Sequence, residues 1–307
     1  MSPLIELRGI RKTYSDGHEA LRGIDLSLGE GMFGLLGPNG SGKTTLLSIL
    51  VLALEPSAGT MHFDGVDAAS ARARATIRRQ IGFLPQDFQP LRHLTGAEYL
   101  VHCARLRGVA LTRKEIDRRA RMLLDAVDLT EAANRASGEY SGGMRRRLGI
   151  AQAMIHAPRM LVIDEPTAGL DPEERIRFRN LIAEVAEEVA VLLSTHISED
   201  IEATCNRIAV LRDGALVFDG DAGELLGRTA NAASLEEAYA AELLRHGMWD
   251  GFSNPSGRVE SGRVENPPHM ESAGRGPLDT IPVESPSPRL RGEGAPERSE
   301  GADEGPS

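Results

Sequence analysis

A chain of 307 residues with 41% hydrophobic residues has enough apolar material for a core, and a formal net charge of −10 gives it no basic face for nucleic acid. Its two cysteines, Cys103 and Cys205, stand far apart and outside any Cys-x-x-Cys pair, which argues against a disulfide framework and a zinc site. The longest apolar run, residues 46–54, is roughly half the ~20 residues a membrane-crossing helix needs, and the N-terminus carries no apolar signal segment. The expectation is a soluble, cytoplasmic protein that serves any membrane process through another chain.

In chain order, residues 4–7 and 24–28 alternate like strands, with the turn-prone Ser15-Asp16-Gly17-His18 between them. Residues 31–36 read as a short buried strand and residues 45–50 as a helix. Between them lies Gly37-Pro38-Asn39-Gly40-Ser41-Gly42-Lys43-Thr44-Thr45, with the Gly-x4-Gly-Lys-Thr spacing of a phosphate-binding loop. Its glycines let successive backbone N–H groups turn inward around phosphates without a Cβ clash. Lys43 adds a mobile positive charge, the Thr44 hydroxyl is placed to ligate Mg²⁺, and the helix starting near Lys43 offers its positive end.

Residues 60–65 read as a further strand ending in a turn, so that an antiparallel sheet packs beside the phosphate-loop strand. Residues 81–86 read as a strand stopped by Pro85. The Arg-rich stretches 72–79 and 113–121 are interrupted by apolar or acidic residues and read mainly as solvated helix faces. Thr95-Gly96-Ala97-Glu98 is a capping box for a helix through about residue 106, and helical patterns continue over 116–127 and from near Ser141. Residues 87–151 are thus expected to be an all-helical subdomain inserted into the nucleotide core.

After it, residues 160–163 and 189–194 have the apolar composition of parallel strands. Asp171-Pro172-Glu173-Glu174 is a strong helix start, with an N-cap, a proline at N1 and an acid at N3. Alternating strands and helices around a phosphate loop predict an α/β fold, a doubly wound core with a mainly parallel sheet. The strand over 160–163 delivers Asp164 and Glu165 at its C-terminal end, where such sheets bind ligands. Asp164 suits Mg²⁺, directly or through water, and Glu165 can accept the proton of a water attacking a terminal phosphate.

With these motifs and Tyr140-Ser141-Gly142-Gly143-Met144, the chain resembles the nucleotide-binding subunit of ATP-binding cassette (ABC) transporters over about residues 4–228. The resemblance implies ATP and Mg²⁺ as ligands. It also implies that Ser141, Gly142 and Gly143, at a helix start, receive the γ-phosphate of an opposing subunit, so that two chains sandwich two ATP molecules. Met144 departs from the family's commoner Gln, and a thioether cannot replace the polar contacts of an amide. The Tyr-Ser-Gly-Gly-Met form resembles an exporter-like, ABC-2-type branch that moves drugs, antibiotics or polysaccharides.

Residue by residue, Gln86 resembles the glutamine that touches Mg²⁺ or water and senses the membrane partner. Asp171, in Ala168-Gly169-Leu170-Asp171, resembles the loop that crosses the dimer interface. His196 resembles the switch histidine on the γ-phosphate, and Tyr14 the aromatic that stacks on adenine. The implied partners are a separate permease and a second ATPase subunit, identical or not, with no nucleic acid and a place on the inner face of the membrane. An importer ATPase is the alternative. A soluble ATPase acting on ribosomes or DNA fits less well, because the chain has one cassette and no sustained heptads.

From about residue 250 the composition shifts to Gly, Pro, Ser, Glu and Arg. This stretch holds nine of the 17 prolines and 11 acidic against 6 basic residues, with a direct repeat at 256–260 and 261–265. It lacks the large apolar residues a core needs. The expected organisation is an ATPase domain over 1–245 and a low-complexity, disordered tail over 246–307.

Overall fold

Strands that are apolar at nearly every position have two faces to cover, and the central strands of this chain have that composition. The structure, a computed structural model, describes residues 3–229, 232 and 234–245; the expected tail over 246–307 lies outside the described residues. The chain opens with a hairpin, β1 (Ile5–Thr13) and β2 (Glu19–Leu28), then enters the core through β3 (Met32–Leu36) and α1 (Lys43–Leu50). Next come β4 (Ala58–Phe63), β5 (Val66–Asp67), α2 (Ala71–Arg78) and β6 (Ile81–Leu84). Helices α3 (Gly96–Leu106), α4 (Arg113–Ala126) and α5 (Gly142–Met154) precede β7 (Met160–Asp164). The described residues finish with α6 (Pro172–Ala186), β8 (Ala190–Thr195), α7 (Ser198–Glu202), β9 (Arg207–Arg212), β10 (Ala215–Asp221), α8 (Ala222–Arg228) and α9 (Leu235–Arg245).

Two sheets result. One is antiparallel, in the order β2-β1-β4-β5; the other has six strands in the order β10-β9-β3-β8-β7-β6. The five strands from β9 to β6 are parallel, and only β10 runs against its neighbour. Period-two alternation divides this larger sheet between two cores. Phe33, Leu35, Val162, Leu192 and Leu211 face α1 and the antiparallel sheet. Leu161, Ile163, Val191, Leu193 and Val210 face the opposite way, into a cluster with Leu148 and Ile150 of α5 and Phe178 of α6. Burial of each such side chain is worth about 1.5–3 kcal/mol, so the apolar runs hold both layers to one sheet.

Helices α3 and α4 pack on each other and on α5, and α5 packs on β6. Close approach makes the last contact: a Cβ on Gly149 would sit 2.5 Å from Leu84 Cδ1. The expected cap at Thr95 is a complete capping box with Glu98, and Thr112 with Glu115 forms a second one that the sequence reading passed over. Asp171 caps α6 by accepting from the Glu174 amide at 2.8 Å, with Pro172 at the helix start.

Several readings need correction. Strands β1 and β2 run well past residues 4–7 and 24–28, because backbone pairing continues through register shifts between Leu7 and Ile10 that break the alternation. The arginines of α2 and α4 are also more than solvated faces. Arg78 donates to Leu52 O, and Arg119 of α4 donates to Ile155 O at 2.6 Å and Met154 O at 3.1 Å, at the end of α5. Arg147 of α5 returns the contact, donating to Val127 O and Asp128 O at the end of α4. Each helix thus supplies a cation to the other's unsatisfied C-terminal carbonyls, the arrangement that helix-end chemistry favours.

Candidate functional site

The loop over residues 37–45 joins β3 to α1 and needs glycine at its last turn. Gly42, the N-cap of α1, has φ +104°, and a Cβ there would lie 2.6 Å from Ala20 O. Lys43, the first residue of α1, is buried. Its Nζ donates to Gly37 O at 2.6 Å and to Pro38 O at 3.3 Å, and stands 3.3 Å from Glu165 Oε1.

The end of β7 supplies the facing wall. Thr44 Oγ1 donates to Asp164 Oδ2 at 3.1 Å. Burial pushes the Asp164 carboxyl above the ordinary carboxylate range, and the Thr44 hydroxyl on Oδ2 opposes this. Glu165 has φ +47°, a left-handed conformation that costs a non-glycine residue energy and that clusters at functional sites. The Glu165 amide donates to Ser194 O at 2.9 Å, which fixes the carboxylate over the loop. Its Oε2 lies 2.6 Å from His196 Nδ1. Lys43 and His196 therefore meet the two oxygens of one carboxylate.

Lys43, Thr44 and Glu165 border a cavity of about 230 Å³ whose walls include Tyr14, His18 and Gln86, while Asp164 and His196 reach it only through their contacts with Thr44 and Glu165. Pro38, Asn39, Gly40, Gly42 and Thr45 also line it. Ser41 is buried beneath the loop, where its carbonyl accepts from the Gly214 amide. A larger cleft of about 940 Å³ opens at the other end of the strands, bordered by Glu30, Arg159 and Glu187, and shares no residue with the site.

Tyr14 is 39% exposed, and its hydroxyl lies 3.1 Å from Thr45 Oγ1. His18, to which the sequence reading gave no role, lies beside it with ring planes 12° apart and centroids 6.5 Å apart. Its signal was its place in the turn four residues after Tyr14, a turn closed by the Tyr14 amide bonding to His18 O.

Other expected site residues lie outside that cavity. Ser141 is exposed and caps α5, accepting from the Met144 amide at 3.2 Å; Gly142 is exposed and Gly143 buried. Asp171 is exposed on its own helix cap. Met144 Sδ lies 3.1 Å from Arg135 Nη2, so the thioether meets a guanidinium of its own chain.

The model of the ABC transporter family matches residues 21–168. The lipoprotein-releasing system ATP-binding protein LolD 1 of Caulobacter vibrioides is 39% identical over 70% of this chain and 95% of that protein. The chain belongs to the ABC transporter family. Its similarity extends to the daunorubicin/doxorubicin resistance ATP-binding protein DrrA of Streptomyces peucetius, 38% identical over 72% of this chain and 66% of that protein. Among solved structures, the dimeric post-hydrolysis ATP-binding cassette MJ0796 bound to ADP and Pi superposes with a TM-score of 0.64. That match has 27% identity and covers 71% of this chain and 98% of the other.

As an ABC ATPase, the chain binds and hydrolyses ATP. Cassettes of this family act as dimers with a transmembrane partner. Among the described residues no helix is long and apolar enough to cross a membrane. The residues present also fit a magnesium ion. Asp164 Oδ1 is buried without a hydrogen-bond partner, beside the Thr44 hydroxyl, and hard oxygen donors of this kind are what Mg²⁺ takes.

Proposed function

We propose that this chain is the ATP-hydrolysing subunit of an ABC exporter, working as an ATP-sandwiched dimer of identical or paired subunits coupled to a separate permease. One observation carries the dimer: the helix start capped by Ser141 is exposed outside the cavity that holds Lys43, Thr44 and Glu165. A helix N-terminus with free amides is an anion site, and here a phosphate from another copy supplies the anion. The similarity to a relative named for daunorubicin and doxorubicin resistance supports export over import.

In this reading the amides of residues 38–44 and Lys43 hold the β- and γ-phosphates, and Tyr14 stacks on the adenine with His18 beside it. Thr44 and Asp164, with Gln86 at the rim, would hold Mg²⁺, which neutralises phosphate charge when bound. Glu165 orients the attacking water and accepts its proton on a carboxylate oxygen. His196 holds Oε2 of that carboxylate and stands where the γ-phosphate would arrive.

Complementation tests the composite site. Lys43→Ala and Ser141→Ala chains should each be nearly inactive alone. Mixed, they should regain activity, because one site of the mixed dimer combines an intact Lys43 with an intact Ser141. No recovery on mixing, with both variants folded and dimeric, would count against the reading.

A further inference from the structure

Three arginines follow the exposed start of α5, and each is fastened to a different segment. Arg145 Nη1 donates to Tyr140 O at 2.6 Å, serving its own helix start. Arg147 holds the end of α4. Arg146 reaches toward the nucleotide cavity instead: Nη1 donates to Gln86 O at 2.6 Å, and Nη2 approaches Ala168 O at 3.5 Å. Gln86 lines that cavity, and Ala168 stands three residues beyond Glu165 on the way to Asp171.

The geometry points to Arg146 as a positioning residue that ties the helix capped by Ser141 to the Gln86 and Ala168 loops of its own chain, so that a phosphate received at Ser141 from one nucleotide adjusts the site that holds the other. The link is stiff at each stage. Ser141 and Arg146 lie five residues apart along α5, about 7.5 Å along its axis. The same helix rests through Gly149 on Leu84 of β6, the strand that leads to Gln86. A guanidinium is planar and presents its donors in a fixed fork, so two carbonyls on different loops cannot shift independently while both accept from it. The group is half-buried, where lost hydrogen bonds are not freely replaced by water. Burial also lowers the Arg146 pKa, with Asp87 opposing.

This inference rests on the dimer reading, and its test separates the two. Arg146→Met keeps much of the stem and removes every donor; Arg146→Lys keeps the charge and a single donor group. Steady-state hydrolysis by the full chain is compared across ATP concentrations. Arg146→Met should lower kcat about 10-fold, as residues that carry coupling can, while the KM for ATP stays within about twofold. Any cooperativity in ATP should fall toward a Hill coefficient of about 1, and Arg146→Lys should recover a substantial part of the lost rate.

Unchanged kcat in Arg146→Met, or kcat and ATP affinity falling in parallel with no relief from lysine, would overturn the role. Should Arg146→Met fold poorly, Arg146→Gln against Arg146→Lys makes the same comparison: a higher kcat for lysine at equal KM supports the role, and equal rates overturn it. Light scattering of ATP-loaded Glu165→Gln protein with arginine retained at 146 reports the dimer separately. A monomer there would sink the dimer reading, whereas a normal dimer with normal Arg146→Met kinetics would sink this inference alone.

Discussion

Lys43 Nζ stands 3.3 Å from Glu165 Oε1, so the phosphate-loop lysine and the carboxylate at the end of β7 are paired inside one chain. Both side chains are almost fully buried, at 6% and 7% exposure. In the proposed reading an arriving phosphate would compete with Glu165 for the same ammonium, and its binding would free Oε1 to face water. Charge-assisted hydrogen bonds are worth about 1.5–3 kcal/mol each, so Lys43→Ala should weaken ATP binding by roughly 10- to 150-fold and stop hydrolysis. Titration calorimetry measures the first effect; an affinity within twofold of the parent would remove Lys43 from phosphate binding.

Thr44→Val keeps the shape of the side chain and removes the hydroxyl that meets Asp164 Oδ2. The half-saturating Mg²⁺ concentration for hydrolysis should rise about 10-fold, in the range that loss of a metal-shell group produces. ATP binding without added metal should change little. An unaltered Mg²⁺ dependence would exclude Thr44 from the metal site.

Gln86 lines the cavity, and its carbonyl accepts from Arg146. In the proposed reading it would join bound phosphates to the helices over residues 96–154, so permease-stimulated hydrolysis should suffer more than ATP binding in Gln86→Ala. Equal loss of both would give Gln86 a purely nucleotide-holding role.

His156 follows α5, with Nε2 3.2 Å from Ile81 O. Burial, reinforced by Arg107, pulls its pKa from 6.5 down to about 4. As pH falls below about 6.5 the unfolded chain takes up the proton first, so this contribution to stability is complete above pH 6.5 and is lost toward pH 4. The ring is partly exposed, so screening reduces the loss to ~1–2 kcal/mol, or roughly 2–8 °C in Tm. His156→Asn should flatten that acid limb in thermal unfolding; an unchanged slope would show that His156 does not titrate there.

Much of the site was legible because its chemistry is local in sequence. The Gly-x4-Gly-Lys-Thr spacing carries its own loop geometry, and the apolar run of β7 announces Asp164 and Glu165. The caps at Thr95 and Asp171 each stand three residues before their own partners, Glu98 and Glu174. What escaped depends on partners distant in the chain. Arg119 and Arg147 bond to carbonyls 36 and 20 residues away, and backbone carbonyls carry no sequence signature. Arg146 is identical in the sequence to its neighbours and differs only in the direction its helix turns it. His18 became informative only once the hairpin set it beside Tyr14. Strands β9 and β10 and helix α9 follow His196, beyond the last motif, where only packing defines the elements.

The most direct test of the account is the mass of the Glu165→Gln protein with saturating ATP-Mg²⁺, measured at high concentration by size exclusion with light scattering. Loss of the base should slow hydrolysis by on the order of 10²–10⁴-fold, while Lys43, Thr44 and the loop amides still hold the phosphates. The uncleaved γ-phosphate should then join Lys43 of one chain to Ser141 of the other, giving a stable dimer that Ser141→Arg abolishes. A Glu165→Gln protein that binds ATP and remains monomeric would contradict the sandwich mechanism.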